Sequence, residues 1–257
     1  MGIHPYTRPM QKVALITGAS RGIGAATAVL AAQSGYAVAV NYAHNSLAAD
    51  EVVRQIRAAG GTAIAVQADV AVEADILAMF AKVDAKLGPL SALVNNAGIV
   101  DVACRVENLS WARMQHLFAT NVLGAMACAR EAVRRMSTRH GGAGGTIVNV
   151  SSVAARGGGP GQYVDYAATK GAIETFTVGL AKEVVAEGIR VNAVRPGIIA
   201  TDIHASGGQP DRAHQLAPQI PMQRPGTAHE VAQAIVWLLG EQSSYTTASI
   251  LDVTGGR

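Results

Sequence analysis

Seven short runs rich in valine and isoleucine punctuate this chain: Val13 to Ile16, Ala37 to Val40, Ala63 to Val66, Ala92 to Val94, Thr146 to Val150, Val191 to Val194 and Ser249 to Val253. Most lack in/out alternation, and a continuous apolar run suits a strand covered on both faces, as in a parallel sheet. Between the runs the apolar residues take helical spacing. The clearest case is Ile76, Met79, Phe80, Val83 and Leu87, which ends at Gly88 and Pro89. Strand and helix alternate from Val13 onward with no Pro/Ser-rich linker and no repeated block. That order predicts a single α/β domain of Rossmann type, a doubly wound parallel sheet of about seven strands with helices on both faces. Ligands of such a sheet bind at the carboxyl ends of the strands, so chemistry belongs in the loops that follow them.

Composition narrows the class further. Of 257 residues 49% are hydrophobic and 15% charged, which excludes a disordered chain and fits a large core. A net charge of +3 is too small to make a nucleic-acid surface unless it is clustered. The densest basic stretch, Arg130, Arg134, Arg135 and Arg139 with Glu131, falls on one predicted helix and reads as a solvated face. Cys104 and Cys128 form no CxxC pair and read as packing residues of a protein in a reducing, cytoplasmic setting. Residues 1–11 are expected to be a loose leader to a domain spanning residues 12–257. Gln33, Ser34 and Gly35 split the apolar stretch from Gly22 to Val40 into helix and strand, so no membrane span is expected. The scattered histidines match no metal-ligand spacing. Residues 202–224, with Gly207, Gly208 and Pro210 inside the longest stretch lacking a clear strand, are expected to form a substrate lid.

Two constellations carry chemistry. After the first strand, Thr17-Gly18-Ala19-Ser20-Arg21-Gly22-Ile23-Gly24 opens an Ala-rich helix. Glycines there let backbone N–H groups and the helix N-terminus approach a pyrophosphate that a Cβ would keep away. Downstream, Tyr166-Ala167-Ala168-Thr169-Lys170 places a phenol and an ammonium four residues apart on one helix face. An ammonium nearby favours phenolate, so the pair suits acid–base work near neutrality.

In this order and on these elements, the two motifs resemble the short-chain dehydrogenase/reductase family, and the resemblance runs from about Val13 to Gly256. Asn95-Asn96-Ala97-Gly98 after the fourth strand, Asn121 in the following long helix, Asn149-Val150-Ser151-Ser152 on the fifth strand and Pro196-Gly197 with Thr201 after the sixth extend it. The resemblance implies catalysis by Asn121, Ser152, Tyr166 and Lys170. Tyr166 exchanges a proton with the substrate oxygen and Ser152 hydrogen-bonds that oxygen. Lys170 binds the nicotinamide ribose and lowers the phenol pKa, and Asn121 holds a water leading to solvent. Ser152 is preferred to its neighbour Ser151, because the second serine of the pair usually faces the cofactor. The implied nucleotide site comprises Gly18, Ser20, Arg21, Gly22, Ile23, Gly24, Asn41, Tyr42, Asp69, Val70, Asn96, Ala97, Gly98, Tyr166, Lys170, Pro196, Gly197, Ile199 and Thr201.

The nucleotide is expected to be NADP(H) in preference to NAD. Val40 leads to Asn41 and Tyr42 with no carboxylate before Asp50, so nothing acidic repels a 2′-phosphate, and Arg21 offers a guanidinium to it. The expected reaction interconverts a secondary alcohol and a ketone or aldehyde of small-molecule size. A 3-oxoacyl-carrier reductase and a sugar or polyol dehydrogenase stay open as alternatives. The carrier reading needs a basic entrance, for which Arg156, Arg195, Arg212 and Arg224 are the loop candidates. A non-catalytic NADP-binding redox sensor is the rival of a different class, and the acid–base set argues against it. The resemblance also implies a homo-oligomer, tetramer or dimer. Trp111 and Trp237 are expected in the core or an interface.

Overall fold

The computed structural model describes residues 11–257. The expected leader, residues 1–11, lies outside the described residues except for Gln11. Successive side chains of each strand point to opposite faces, and both faces are covered. From β1 (Val13–Ile16), Ala14 and Ile16 pack against α1 (Gly22–Gln33), α2 (Ser46–Ala58) and α10 (Ala228–Leu239). Val13 and Leu15 face α3 (Glu73–Leu87), α5 (Ala125–Met136) and α7 (Val164–Val184). Two-sided burial is why the strand runs are apolar throughout.

The seven-stranded sheet is parallel, ordered β3 (Ala63–Gln67), β2 (Ala37–Tyr42), β1, β4 (Leu90–Asn95), β5 (Gly145–Val150), β6 (Ile189–Pro196) and β9 (Ile250–Val253). Each expected run became a strand with bounds displaced by a few residues. β6 extends over Arg190 because that guanidinium donates to the carbonyls of Thr246, Leu238 and Gly240, which satisfies a charge next to the core. Strand order reverses between β1 and β4, so a crevice opens at their carboxyl ends. The periodic residues Ile76, Met79, Phe80 and Val83 are fully buried, and α3 stops where Gly88 takes φ 95°.

Two expectations need correction. The helix expected to carry Asn121 is broken: α4 (Trp111–Phe118) passes through a π-helical turn, Ala119–Gly124, into α5, and Asn121 sits in that turn. The basic stretch is neither on one helix nor simply solvated. Arg139 belongs to a separate 3-10 turn (Thr138–His140), while buried Glu131 binds Arg130, Arg134 and Arg135 at 3.1, 2.8 and 3.0 Å. Trp111 is 72% exposed, which leaves an interface as the half of its expected placement still open. The segment expected as a lid, residues 202–224, contains short regular elements. β7 (Ile199–Ala200) pairs in parallel with β8 (Gly226–Thr227) at its base, and α8 (Ile203–Ser206), α9 (Arg212–Gln215) and a 3-10 turn (Ala217–Gln219) lie between them.

Candidate active site

The crevice at the carboxyl ends of the strands is a cavity of about 1130 Å³. Its floor begins at the β1–α1 turn. Gly18 has φ 60° and Gly22 φ 56°, conformations that L side chains rarely adopt. A Cβ on Gly18 would meet the Ala97 backbone at 2.9 Å. α1 starts without a side-chain cap or an acidic residue in its first turn, which leaves its amide donors and positive dipole end for an anion. The turn is held from behind. Thr17 Oγ1 accepts from the amides of Asn96 and Ala97, each at 3.0 Å, and Asn96 Nδ2 donates to the carbonyls of Thr17 and Gly18 at 2.9 and 3.0 Å.

Ser20, Arg21, Ile23, Tyr42, Asp69, Val70, Ala97, Gly98, Pro196, Gly197, Ile199 and Thr201 line the same cavity. Two of the expected nucleotide residues act differently. The Asn41 side chain is buried and spent on backbone: its Oδ1 accepts from Gly18 N at 3.0 Å and its Nδ2 donates to Val66 O and Ala68 O at 3.2 and 3.0 Å. It shapes the turn and has no amide group to offer a ribose. Gly24 does not face the cavity; a Cβ there would meet Asn96 Nδ2 and Gly18 O at 2.5 Å, so it permits α1 to close on the turn. Asp69 lines the cavity and also accepts from Ala71 N at 2.9 Å, which makes it a turn residue ahead of α3.

The catalytic candidates arrive from β5 and α7. Both serines that follow β5 line the cavity, and their hydroxyls have different partners. Ser151 is buried and its hydroxyl donates to Glu174 Oε1 at 2.7 Å, while the Ser152 hydroxyl accepts from Ala154 N at 3.2 Å and lies near the Tyr166 phenol. Lys170 Nζ lies 5.6 Å from the Tyr166 ring centre and donates to Val150 O at 2.8 Å. Burial pushes the Lys170 ammonium down to about 8, because the charged form loses its water. Burial also raises the Tyr166 phenol, and the nearby Ser152 hydroxyl offsets it only in part. The expected lowering of the phenol by Lys170 has no part in that shift.

Asn121 is buried behind Gly98 and outside the cavity lining. Its Oδ1 accepts from Ile99 N at 2.8 Å, and its Nδ2 donates to Ile99 O at 2.9 Å and Thr169 Oγ1 at 3.2 Å. The Asn121 side chain thus braces the loop after β4 against α7. Both Asn121 and Lys170 close on Gly98, where a Cβ would come within 3.5 Å of Asn121 Oδ1 and 3.3 Å of Lys170 Nζ.

Several site-shaping residues escaped the sequence reading. Arg113 of α4 donates to buried Asp165 at 2.6 Å, and Asp165 in turn accepts from Tyr166 N at 2.9 Å, so α4 anchors the first turn of α7. These partners are 52 residues apart and leave no local signal. On the substrate side the cavity adds His116, Gln162, Tyr163 and Arg212. Of the basic residues considered for an entrance patch, Arg195 is locked between Glu174 and Asp252, Arg156 binds Asp252 at 2.8 Å, and Arg224 binds Glu230 at 2.6 Å. Among the described residues no group of three or more histidine, cysteine or acidic side chains is placed to hold a metal, and no helix is long and apolar enough to cross a membrane.

Comparisons with known proteins agree with this geometry. A family profile described as enoyl-(acyl carrier protein) reductase matches residues 18–257. The uncharacterised oxidoreductase YgfF of Escherichia coli (strain K12) is 58% identical over 245 residues, covering 95% of this chain and 99% of the relative. The 3-oxoacyl-(acyl-carrier-protein) reductase FabG of Staphylococcus aureus is 38% identical over 249 residues, covering 96% and 98%. A solved short-chain dehydrogenase/reductase from Serratia marcescens superposes with a TM-score of 0.88 at 33% identity, covering 97% of this chain and 99% of that one.

Proposed function

Because the chain belongs to the short-chain dehydrogenase/reductase family, an oxidoreductase family acting on CH–OH groups with a nicotinamide nucleotide, we propose that it interconverts a small secondary alcohol and its ketone or aldehyde with NADP(H). The observation that carries this reading is the convergence of Ser152, Tyr166 and Lys170 on the cavity whose floor is the glycine turn and the uncapped N-terminus of α1. The nucleotide, when bound, supplies or accepts the hydride. Gly18, Ser20, Gly22 and Ile23 would hold its pyrophosphate, and Lys170 its nicotinamide ribose. Tyr166 gives its proton to the substrate oxygen on reduction and takes it back on oxidation, while Ser152 orients that oxygen. A phenol raised by burial is protonated at neutral pH and so stands ready as the donor.

Preference for the 2′-phosphorylated nucleotide rests on the end of β2. Asn41 is occupied, Tyr42, Ala43 and His44 carry no carboxylate, and the Asn45 side chain accepts from Ala48 N at 3.0 Å. Exposed Arg21 faces the cavity, its hydrogen bond to Ser206 stretched to 3.4 Å, so its guanidinium is available to a phosphate. A small substrate is favoured over a carrier-linked one, because of the four loop arginines Arg156, Arg195 and Arg224 are neutralised by carboxylates and only Arg212 is left to attract an acidic carrier. Two free cysteines fit a reducing, cytoplasmic setting. The exposed apolar side chains Trp111, Phe118, Leu123 and Met126 of the α4–α5 face support self-association, as a dimer or tetramer.

The test is a panel of ketones, aldehydes, sugars and a 3-oxoacyl thioester, assayed with NADPH and NADH. Turnover of small ketones with a higher kcat/KM for NADPH is expected. Turnover of the thioester alone would favour the carrier reading, and no turnover at all would favour the sensor.

A further inference from the structure

We infer that Arg212, carried by the lid, recognises a carboxylate on the substrate, so that the compounds turned over are oxo-acids and hydroxy-acids. The inference rests on the oxidoreductase reading above and adds the substrate class to it. The Arg212 guanidinium faces the cavity. It lies 5.2 Å over the Tyr163 ring, and it donates to Gln162 Oε1 at 2.8 Å and to Gln209 Oε1 at 2.7 Å. Gln162 and Tyr163 directly precede α7, whose first turn bears Tyr166, so the cation lines the same cavity as the phenol and packs on the residue one turn before it. The lid is pressed onto the same place: a Cβ on Gly207 would meet Tyr163 Oη and Val100 Cγ1, each at 3.4 Å.

All of Arg212's partners are neutral. Among the described residues no carboxylate oxygen comes within 4.0 Å of it, whereas Arg113, Arg156, Arg195 and Arg224 are each paired at 2.6 to 2.8 Å. The guanidinium is oriented by three contacts yet keeps its full charge and spare N–H donors. An oriented, uncompensated guanidinium in a cleft is matched by a planar anion that can accept two parallel hydrogen bonds. Neither acid lining the cavity competes. Asp69 belongs to the loop after β3, and Asp202, at the base of the lid, is beyond ion-pair distance. Val100 and Leu216 supply apolar wall for the intervening carbon chain.

The experiment compares NADPH-dependent reduction of acetoacetate, levulinate and 5-oxohexanoate with that of their methyl esters. Wild type, Arg212→Met, Arg212→Lys and Arg257→Met are assayed, the last removing another cavity-lining cation. Binding of the same compounds to wild type and Arg212→Met, with and without NADP+, is measured by calorimetry. In at least one pair the wild type should prefer the acid by about tenfold or more in kcat/KM. Arg212→Met should erase that preference through the KM of the acid and leave the ester unchanged, while Arg212→Lys keeps part of it. Equal handling of acid and ester in every pair, equal loss of both in Arg212→Met, or a loss that follows Arg257→Met instead would overturn the inference. If no compound is reduced, the oxidoreductase reading fails. Calorimetry then decides the anion site by itself: tighter binding of an acid that depends on Arg212 sustains it, and equal binding of acid and ester overturns it.

Discussion

Tyr166 and Lys170 are displaced from their ordinary proton affinities by one cause, burial, in opposite directions: the phenol upward and the ammonium down to about 8. Replacing Tyr166 by Phe removes the proton donor and little volume. Turnover is expected to fall on the order of 10²- to 10⁴-fold, with NADPH binding, followed by fluorescence titration, retained. Lys170 makes a prediction about stability. Its folded value lies below the ordinary 10.5 of a solvated lysine in the unfolded chain, so below pH 8 the protein carries the cost of a buried ammonium, and that cost fades as pH rises from 8 to 10.5. At about 1.4 kcal/mol per pH unit the cost is about 3 kcal/mol. Lys170→Met should therefore be inactive yet melt above wild type at pH 7 in the nucleotide-free protein, and the difference should close by pH 10.5 in calorimetric scans. A constant difference across that range would remove burial as the cause.

At the scale of elements, the junction of α4, its π turn and α5 decides where α7 can sit. Gly124 lets this junction approach the loop after β3, since a Cβ there would meet Val70 O at 2.5 Å. Asn121 then ties the turn to Ile99 and Thr169, and Arg113 ties α4 to Asp165. Arg113→Met strands the Asp165 carboxylate, whose side chain is 2% exposed, in a space without its cation. Loss of about 3 kcal/mol is expected in urea unfolding, as for other broken buried pairs, together with a lower kcat as Tyr166 loses its anchor. Asp165→Asn added to Arg113→Met should restore most of the stability. A single mutant as stable as wild type would show the pair to be dispensable.

For the molecule as a whole, the apolar side chains left on the α4–α5 face predict self-association. Trp111, 72% exposed, and Leu123, 63% exposed, lie about three turns apart along the segment from α4 through the π turn. Light scattering of the purified protein should give the mass of a dimer or tetramer, and Trp111→Arg should lower it without unfolding the chain, as judged by circular dichroism. A wild-type monomer would defeat the prediction. The same scale joins two parts of the cavity lining: the glycine turn at the sheet's switch point, and residues of the segment between β7 and β8.

The strand positions, the glycine turn and the Tyr166–Lys170 spacing were legible in the linear chain because each depends on neighbours within a few residues: apolar runs for two-sided strands, small residues before a helix, four steps along one helix face. The resemblance of Asn96, Ala97, Gly98 and Ser152 to family motifs added the cavity's walls. What remained hidden depends on groups distant in sequence. Asn41 and Asn96 look like ligands until the backbone groups they satisfy are in place, and Glu131 looks like one member of a charged face until burial makes it the centre of an arginine cluster. Arg156, Arg195 and Arg212 are identical as letters. Tertiary structure gives the first two carboxylate partners and leaves the third charged over Tyr163, because the electrostatic meaning of a side chain is set by what folding brings beside it.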